Sequence, residues 1–120
     1  MDEYENEVKA RWGDTLAYKQ SSERTSKYSE EDFAKAKADQ EAATEAFLEC
    51  FANKSAINSE EAQSAVLAHR NAITKWFYDC SPEMQKNLAL MYISDERFRK
   101  YYDDQAKGLA QYIHDAIQAQ

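Results

Sequence analysis

The sequence has very few of the residues that interrupt helices. It contains two glycines and one proline in 120 residues, whereas alanine, glutamate, lysine and glutamine are abundant. Glycine and proline are the strongest helix breakers and these four residues are good helix formers, so the composition predicts an all-α fold. The length suits one domain with a modest core and is too short for two.

Several kinds of site have no motif in this sequence. The only glycines are Gly13 and Gly108, so there is no glycine-rich phosphate loop, and His69 and His114 lie far apart without a metal-ligand spacing. No apolar run approaches the roughly 20 residues that cross a bilayer, and the acidic start lacks the layout of a secretion signal. We therefore expect no metal, no cofactor, no membrane contact and a cytoplasmic location.

Positive charge is also in deficit. The chain has 15 basic and 22 acidic residues, which give a net charge of −7. Such an acidic segment has no overall basis for binding phosphates, so we expect no contact with nucleic acid from these residues. A solvated acidic surface is the simplest interpretation of the excess.

The N-terminal quarter is predicted to be weakly anchored. Residues 2–12 and 15–25 are predicted as two short helices, but apolar side chains are sparse in the second and in the polar stretch that follows it. Few apolar contacts imply low local stability. We therefore divide the single domain into a mobile N-terminal segment, 1–28, and a helical body, 29–120.

Capping serines mark the starts of the helices in the body. Ser29 opens a helix that runs to about residue 52, and Ser59 opens another that is predicted to end at Cys80, ahead of Pro82. Ser81 and Pro82 begin a new helix, because proline fits the first helical position, where no amide bond is lost. Two further helices are predicted, after Ser94-Asp95-Glu96 and over residues 104–118. The expected architecture is a compact bundle of about six to seven helices.

The sequence gives little support to an enzyme. His69 and Cys80 are eleven residues apart, which is ~16 Å along one helix and too far for a hydrogen bond. A buried structural thiol and a core histidine explain these residues more simply, and free thiols suit a reducing cytoplasm. We predict no catalysis, and keep a thiol enzyme that uses Cys80, ahead of a helix N-terminus, as a third interpretation.

Aromatic residues are the unusual part of the composition. The chain has five phenylalanines, two tryptophans and eight tyrosines. Tyrosine combines an apolar body with a polar tip and methionine adapts its shape, so a cluster of both suits a pocket for a large, flat, partly polar ligand. An aromatic core with tyrosines at its rim explains the composition equally well. The cluster comprises Trp76, Tyr78, Met84, Met91, Tyr92, Tyr101, Tyr102 and Tyr112.

Four segments resemble, in the same order, the TipAS antibiotic-recognition domain: RWGDTLAYKQS, WFYDCSPEM, MYISDERF and GLAQYIHDAI. The resemblance extends over roughly residues 5–118. That domain is the effector-binding module of certain MerR-type transcription activators. The resemblance implies globin-like helix packing without haem, a cleft for thiopeptides or other large multi-ring drugs, and an N-terminal third that orders over the bound ligand.

Two departures from the family restrict these implications. In thiopeptide-capturing members, a second cysteine seven positions after the one in WFYDC attacks a dehydroalanine of the drug. Here that position is Asn87, and Cys80 matches the other cysteine, so we expect reversible binding. The family's DNA-binding region and coiled coil are absent from these 120 residues. DNA contact is therefore expected only through an upstream domain, and the resemblance allows a homodimer in a full-length form.

The leading hypothesis is a non-enzymatic antibiotic-binding domain that acts as the effector sensor of a MerR-type activator. The alternatives are a stand-alone drug-sequestering resistance protein and a helical protein-interaction module whose aromatics form the core. Motif position and local pattern indicate aromatic stacking and a few polar contacts with the ligand. The predicted ligand-binding residues are Trp12, Tyr18, Trp76, Asp79, Met84, Asn87, Met91, Tyr92 and Phe98.

Overall fold

The computed structural model describes the backbone of residues 16–120 and the side chains of residues 19–120. The predicted helix over 2–12 lies outside the described residues. Within them, the all-helical prediction is confirmed, and none of the helices is long and apolar enough to cross a membrane. The six described helices are α1 (Leu16–Thr25), α2 (Glu30–Ala52), α3 (Glu60–Trp76), α4 (Pro82–Ser94), α5 (Glu96–Asp103) and α6 (Leu109–Gln118).

The capping serines lie where the sequence predicts them. The Ser29 hydroxyl accepts a hydrogen bond from the Asp32 amide at 3.2 Å, and the Asp32 carboxylate accepts from the Ser29 amide at 3.1 Å. The hydroxyls of Ser59 and Ser81 each accept from the amide three residues later, at 3.2 and 3.1 Å. Each bond satisfies an amide that has no partner within its helix, and these caps therefore fix the starts of α2, α3 and α4.

The predicted end at Cys80 of the helix that begins after Ser59 is wrong. The helix α3 ends at Trp76, and Phe77 takes the non-helical angles φ −121° and ψ −65°. The carbonyl of Ile73 accepts hydrogen bonds from the amides of both Phe77 and Tyr78, at 2.8 and 3.2 Å. These two hydrogen bonds to one carbonyl end the helix, so the chain turns before it reaches the proline.

The last helix begins later than its predicted start. We expected a helix over 104–118, but α6 begins at Leu109. Gly108 has φ +92°, in the left-handed region, which interrupts the helical path. The carboxylate of Asp103 accepts a hydrogen bond from the Ala110 amide at 3.1 Å and so caps the new helix from the previous one.

The core forms around α6. The main helix pairs are α2 with α3 and α4 with α6, and α6 also contacts α2, α3 and α5. Its buried residues lie at helical spacing, which matches the apolar stripe in the sequence. The core side chains with the least exposure include Phe47, Val66, Leu109, Ile113 and Ile117.

A reciprocal pair of substitutions tests the two backbone positions that lie in the left-handed region within residues 16–120. Gly108→Ala should lower the free energy of unfolding by about 1–2 kcal/mol, since an L side chain is strained at this φ. The added Cβ would lie 3.4 Å from Cζ of Phe51, an ordinary contact, so the cost arises in the backbone. Lys54 is a non-glycine residue with φ +56°. Lys54→Gly should leave stability unchanged or raise it. Urea unfolding of both variants measures this, and equal losses would contradict it.

Candidate functional site

An open cleft of about 700 Å³ separates the α2–α3 pair from α4 and α5. Binding sites for small molecules typically enclose ~300–1,000 Å³, so the volume is sufficient for a multi-ring ligand. The residues that line it come from five helices and the segment after α3: Ser21, Gln40, Ala43, Thr44, His69, Ala72, Ile73, Phe77, Tyr78, Leu88, Met91, Tyr92, Arg97, Phe98, Tyr101 and Tyr102.

The turn between α4 and α5 brings two helices to the same wall of the cleft. Asp95 is both the C-cap of α4 and the N-cap of α5, and its carboxylate accepts a hydrogen bond from the Arg97 amide at 3.0 Å. The helix α4 presents Leu88 and Met91, which are three residues apart and share one face. After the turn, α5 adds further aromatic side chains, beginning with Phe98.

Aromatic rings form the floor of the cleft. The ring of Tyr92 lies 5.7 Å from that of Phe98 and 5.0 Å from that of Tyr102, centroid to centroid. The imidazole of His69 meets Tyr92 edge-to-face, with centroids 5.8 Å apart. Such tilted and edge-to-face contacts are the favoured aromatic geometries, so α3, α4 and α5 are fixed to one another here.

A buried polar chain runs beneath this floor. Nε2 of His69 lies 2.9 Å from the Tyr92 hydroxyl, and Nδ1 lies 2.8 Å from Nε2 of Gln85. The Gln85 side chain is fully buried and also donates to the carbonyl of Val66 at 2.9 Å. Burial lowers the pKa of His69 to about 4 and raises the pKa of Tyr92 well above its ordinary range. Both groups are therefore neutral near pH 7.

The charge at the cleft wall is balanced. Nη2 of Arg97 lies 3.0 Å from Oδ2 of Asp95, and the aspartate side chain is only 11% exposed. The guanidinium therefore contributes a paired cation, and the remainder of the wall is mainly apolar and aromatic. A neutral ring system fits this surface better than a strongly charged ligand does.

Both cysteines are buried free thiols. Burial raises the pKa of Cys80 to about 11, although Arg70 acts in the opposite direction. Burial also raises the pKa of Cys50. Since the thiolate is the reactive form of cysteine, neither side chain is activated as a nucleophile at neutral pH.

Three of the predicted ligand-binding residues line the cleft together. Met91 and Tyr92 do so from α4, and Phe98 from α5. Trp12 lies outside the described residues, and so does the side chain of Tyr18, whose backbone belongs to α1. A ligand contact for each of these residues remains a prediction.

Trp76 does not line the cleft. Its indole Nε1–H donates to the carboxylate of Asp39 at 2.6 Å, and Nζ of Lys75 lies 5.1 Å from the ring centroid. The hydrogen bond from Trp76 is the largest factor that lowers the pKa of Asp39. The ring of Tyr28 packs against it edge-to-face at 5.7 Å, so Trp76 anchors the connection between α1 and α2.

Asp79 lies in the segment 77–81, outside the cleft lining, with its side chain 70% exposed. Its carboxylate accepts a hydrogen bond from Arg24 at 2.7 Å, and its amide donates to the side chain of Gln20 at 3.0 Å. Arg24 also donates to the carbonyl of Thr74 at 2.7 Å. These three bonds hold α1 against the end of α3.

Met84 and Asn87 occupy the first two turns of α4. Met84 is partly buried and Asn87 is exposed, and neither belongs to the cleft lining. Asn87 precedes Met91 by one helical turn, which places it on the helix face next to the rim of the cleft.

Sequence reasoning missed several residues of the wall. Tyr78, Tyr101 and Tyr102 belong to the aromatic-rich span, which was the available signal for them. Phe77 was hidden because the helix was predicted to continue past it. His69 was interpreted as a core histidine, and it is indeed mostly buried, yet one side of it lines the cleft.

Comparison with known proteins identifies similar chains. Residues 4–120 match the family model of the TipAS antibiotic-recognition domain. The HTH-type transcriptional activator TipA of Streptomyces coelicolor is 42% identical over 118 residues, which are 98% of this chain and 47% of that protein. The HTH-type transcriptional activator mta of Bacillus subtilis is 31% identical over 114 residues, 95% of this chain and 43% of that protein. The chain thus spans about half the length of these relatives.

The fold is shared with a solved structure described as nosiheptide in complex with TipAS from Streptomyces lividans. The TM-score is 0.89 and the sequence identity is 42%, and the match covers 98% of this chain and 82% of that chain. The similarity therefore extends over the helices that build the cleft.

The neutral, mostly buried His69 predicts a specific dependence of stability on pH. Its pKa is about 4 in the folded chain and roughly 6.5 when unfolded, so only the unfolded chain takes up a proton between these values. The His69 contribution is complete above pH 6.5 and is lost as the pH falls. The loss of this contribution should lower the free energy of unfolding by about 2 kcal/mol between pH 7 and pH 5.

Urea unfolding at several pH values measures this loss, with His69→Gln as the reference. The difference between wild type and variant should shrink as the pH falls from 7 to 5, whatever stability the variant has at neutral pH. Parallel profiles for the two proteins over this range would show that His69 does not carry the effect.

Proposed function

Because the chain belongs to the TipAS antibiotic-recognition domain family, we propose that it is the effector-sensing part of a MerR-type transcriptional activator. In this proposal a thiopeptide-like or other large multi-ring antibiotic binds in the cleft. The observation that supports this proposal is the open, aromatic-lined cleft of about 700 Å³. The chain shares its fold with a protein that was solved in complex with nosiheptide.

The composition of the wall supports flat, largely neutral ring systems as ligands. The rings of Tyr92, Phe98 and Tyr102 offer faces and edges for stacking, and Met91 and Leu88 supply adaptable apolar contacts. Aromatic rings bury a large area with little loss of side-chain entropy. A ligand with several linked heterocycles could use many of these contacts at once.

The open cleft also argues against the alternative of a protein-interaction module with an aromatic core. Tyr101 lines the cleft and remains 55% exposed. Aromatic side chains in a filled core would pack to high density and leave no space of this volume. The open cleft therefore favours binding of a small molecule.

Closure of the segment 1–28 over the ligand is also part of the proposal. Within its described part, Ser21 of α1 lines the cleft, and Arg24 and Gln20 bind the segment 77–81 through Asp79. These contacts support the idea that the N-terminal segment forms one wall of the site. A ligand that stabilises this wall would shift the population of the domain, and could signal to an upstream DNA-binding domain.

We propose that the chain is not an enzyme. Both thiols are buried and protonated at neutral pH, and both ring nitrogens of His69 are engaged in hydrogen bonds. The relatives are HTH-type transcriptional activators. A cytoplasmic location, contact with DNA through an upstream domain and a homodimer of the full-length form follow from that kinship as parts of the proposal.

Reversible binding follows from the residue at position 87. Capture by the family route requires a thiolate that adds to the β-carbon of a dehydroalanine, forming a thioether as the α-carbon takes a proton. Asn87 has no thiol, so we propose that this chain binds without a covalent bond. Direct contacts from Trp12, Tyr18, Trp76, Asp79, Met84 and Asn87 remain proposals that a complex would test.

A titration with nosiheptide tests the proposed function. We expect saturable quenching of tryptophan fluorescence and a gain of helical circular dichroism, because the ligand should order the N-terminal segment.

Mass spectrometry with a dehydroalanine-bearing thiopeptide should detect no adduct on the wild type. Asn87→Cys should form an adduct, since it restores a thiol one turn before Met91.

Asn71→Cys is the matched control, because Asn71 is exposed on α3 and does not line the cleft. It should form an adduct more slowly than Asn87→Cys. The proposed function would be overturned if neither nosiheptide nor any member of a panel of other large antibiotics changed the tryptophan fluorescence or the circular dichroism. An adduct at Cys80 of the wild type would overturn the proposal of reversible binding.

A further inference from the structure

Helix α1 is held in place mainly by polar contacts. None of its described side chains, residues 19–25, is fully buried, so the helix adds little to the hydrophobic core. It contacts α3, and hydrogen bonds link Arg24 and Gln20 to the end of α3 and to the residues that follow it. The position of α1 and the conformation of this end therefore depend on the same few bonds.

The C-terminal end of α3 needs partners from outside the helix. The last four carbonyls of a helix have no amide within it from which to accept a hydrogen bond. Nη1 of Arg24 donates to the carbonyl of Thr74 at 2.7 Å, and the Tyr28 hydroxyl donates to the carbonyl of Trp76. The helix dipole also favours a cation at this end. Side chains of the N-terminal segment therefore complete the end of α3.

Arg24 binds the chain on both sides of two cleft residues. Its Nη1 binds Thr74 ahead of them, and its Nη2 lies 2.7 Å from Oδ1 of Asp79 after them. The residues between, Phe77 and Tyr78, line the cleft, whereas Arg24 and Asp79 do not. Because both nitrogens belong to one rigid, planar guanidinium, the two bonds hold the ends of this segment at a fixed separation.

We infer that Arg24 is a positioning residue, which holds the segment 74–79 in the conformation that presents Phe77 and Tyr78 to the cleft. This role rests on the proposed function, because the two aromatic rings would contact a ligand in the cleft. The bond to the part-buried carbonyl of Thr74 should contribute most, since the Asp79 side chain is 70% exposed and its ion pair is screened by solvent.

Two neighbouring amides distinguish the release of α1 from the release of the cleft wall. The Asp79 amide donates to Oε1 of Gln20 at 3.0 Å, so its protection from hydrogen exchange reports whether α1 is docked. The Cys80 amide donates to Oγ1 of Thr74 at 3.1 Å, a bond that involves no atom of α1. Its protection reports whether the segment after α3 keeps its shape.

Hydrogen exchange of these two amides in the ligand-free full chain tests the role of Arg24. In Arg24→Met, both amides should exchange about fivefold faster, which corresponds to the loss of one net hydrogen bond. The acceleration at Cys80 is the decisive result, because neither partner of its hydrogen bond is changed. Unchanged protection of the Cys80 amide would overturn the inference.

Two control variants separate this role from loss of charge and from loss of global stability. Lys27→Met removes the same charge from an exposed residue just after α1 and should accelerate neither amide. Gly108→Ala strains a turn ahead of α6 and should also accelerate neither, because local opening of residues 77–81 does not relieve that strain. Acceleration of the Cys80 amide in either control, equal to that in Arg24→Met, would overturn the assignment to Arg24.

Titration with nosiheptide connects the cleft wall to binding. Arg24→Met should bind about fivefold more weakly than the wild type, and Lys27→Met should bind equally well. Equal affinity of Arg24→Met and the wild type would overturn the inference and leave the proposed function intact. If nosiheptide did not bind the wild type, the proposed function would be overturned instead, and hydrogen exchange would still decide whether Arg24 positions the wall.

Discussion

The buried amide of Gln85 is the interaction on which the geometry of the site depends. It joins α4 to α3 through Val66 and His69, and joins both to the end of the chain through Gln120. A fully buried amide is tolerated only when its donors and acceptor are paired, so these three elements have to keep their relative positions. The base of the cleft is thereby closed, and the direction of its hydrogen bonds is set as well.

Two turns of the chain shape the walls of the cleft above this base. The carbonyl of Ile73 ends α3 early, and Asp95 ends α4 while it begins α5. Phe77 and Tyr78 line the cleft after the first turn, and the aromatic residues of α5, beginning with Phe98, line it after the second. A rigid, partly polar floor with adaptable apolar walls results. That combination provides orientation for a ligand as well as space for one.

Local chemistry made much of the fold predictable, and distant partners made the rest unpredictable. The starts at Ser29, Ser59 and Ser81 were predictable because each cap bonds an amide three residues away. Met91, Tyr92 and Phe98 were predicted from their positions in the family motifs and from the local pattern of aromatics and methionine in α4 and α5. The role of Gln85 has no local signal, because its partner Gln120 lies 35 residues along the chain. The end of α3 depends on two hydrogen bonds to the carbonyl of Ile73, which composition does not encode.

The central claim is that a ligand binds in the cleft above its aromatic floor. Intermolecular NOEs test this claim most directly. With nosiheptide bound to methyl-labelled protein, the aromatic protons of the drug should show NOEs to the methyl groups of Met91 and Leu88, which line the cleft from α4. The exposed Leu67 on α3, which does not line it, should show none. Saturable binding without NOEs to Met91 and Leu88, or with NOEs to Leu67 alone, would contradict the account.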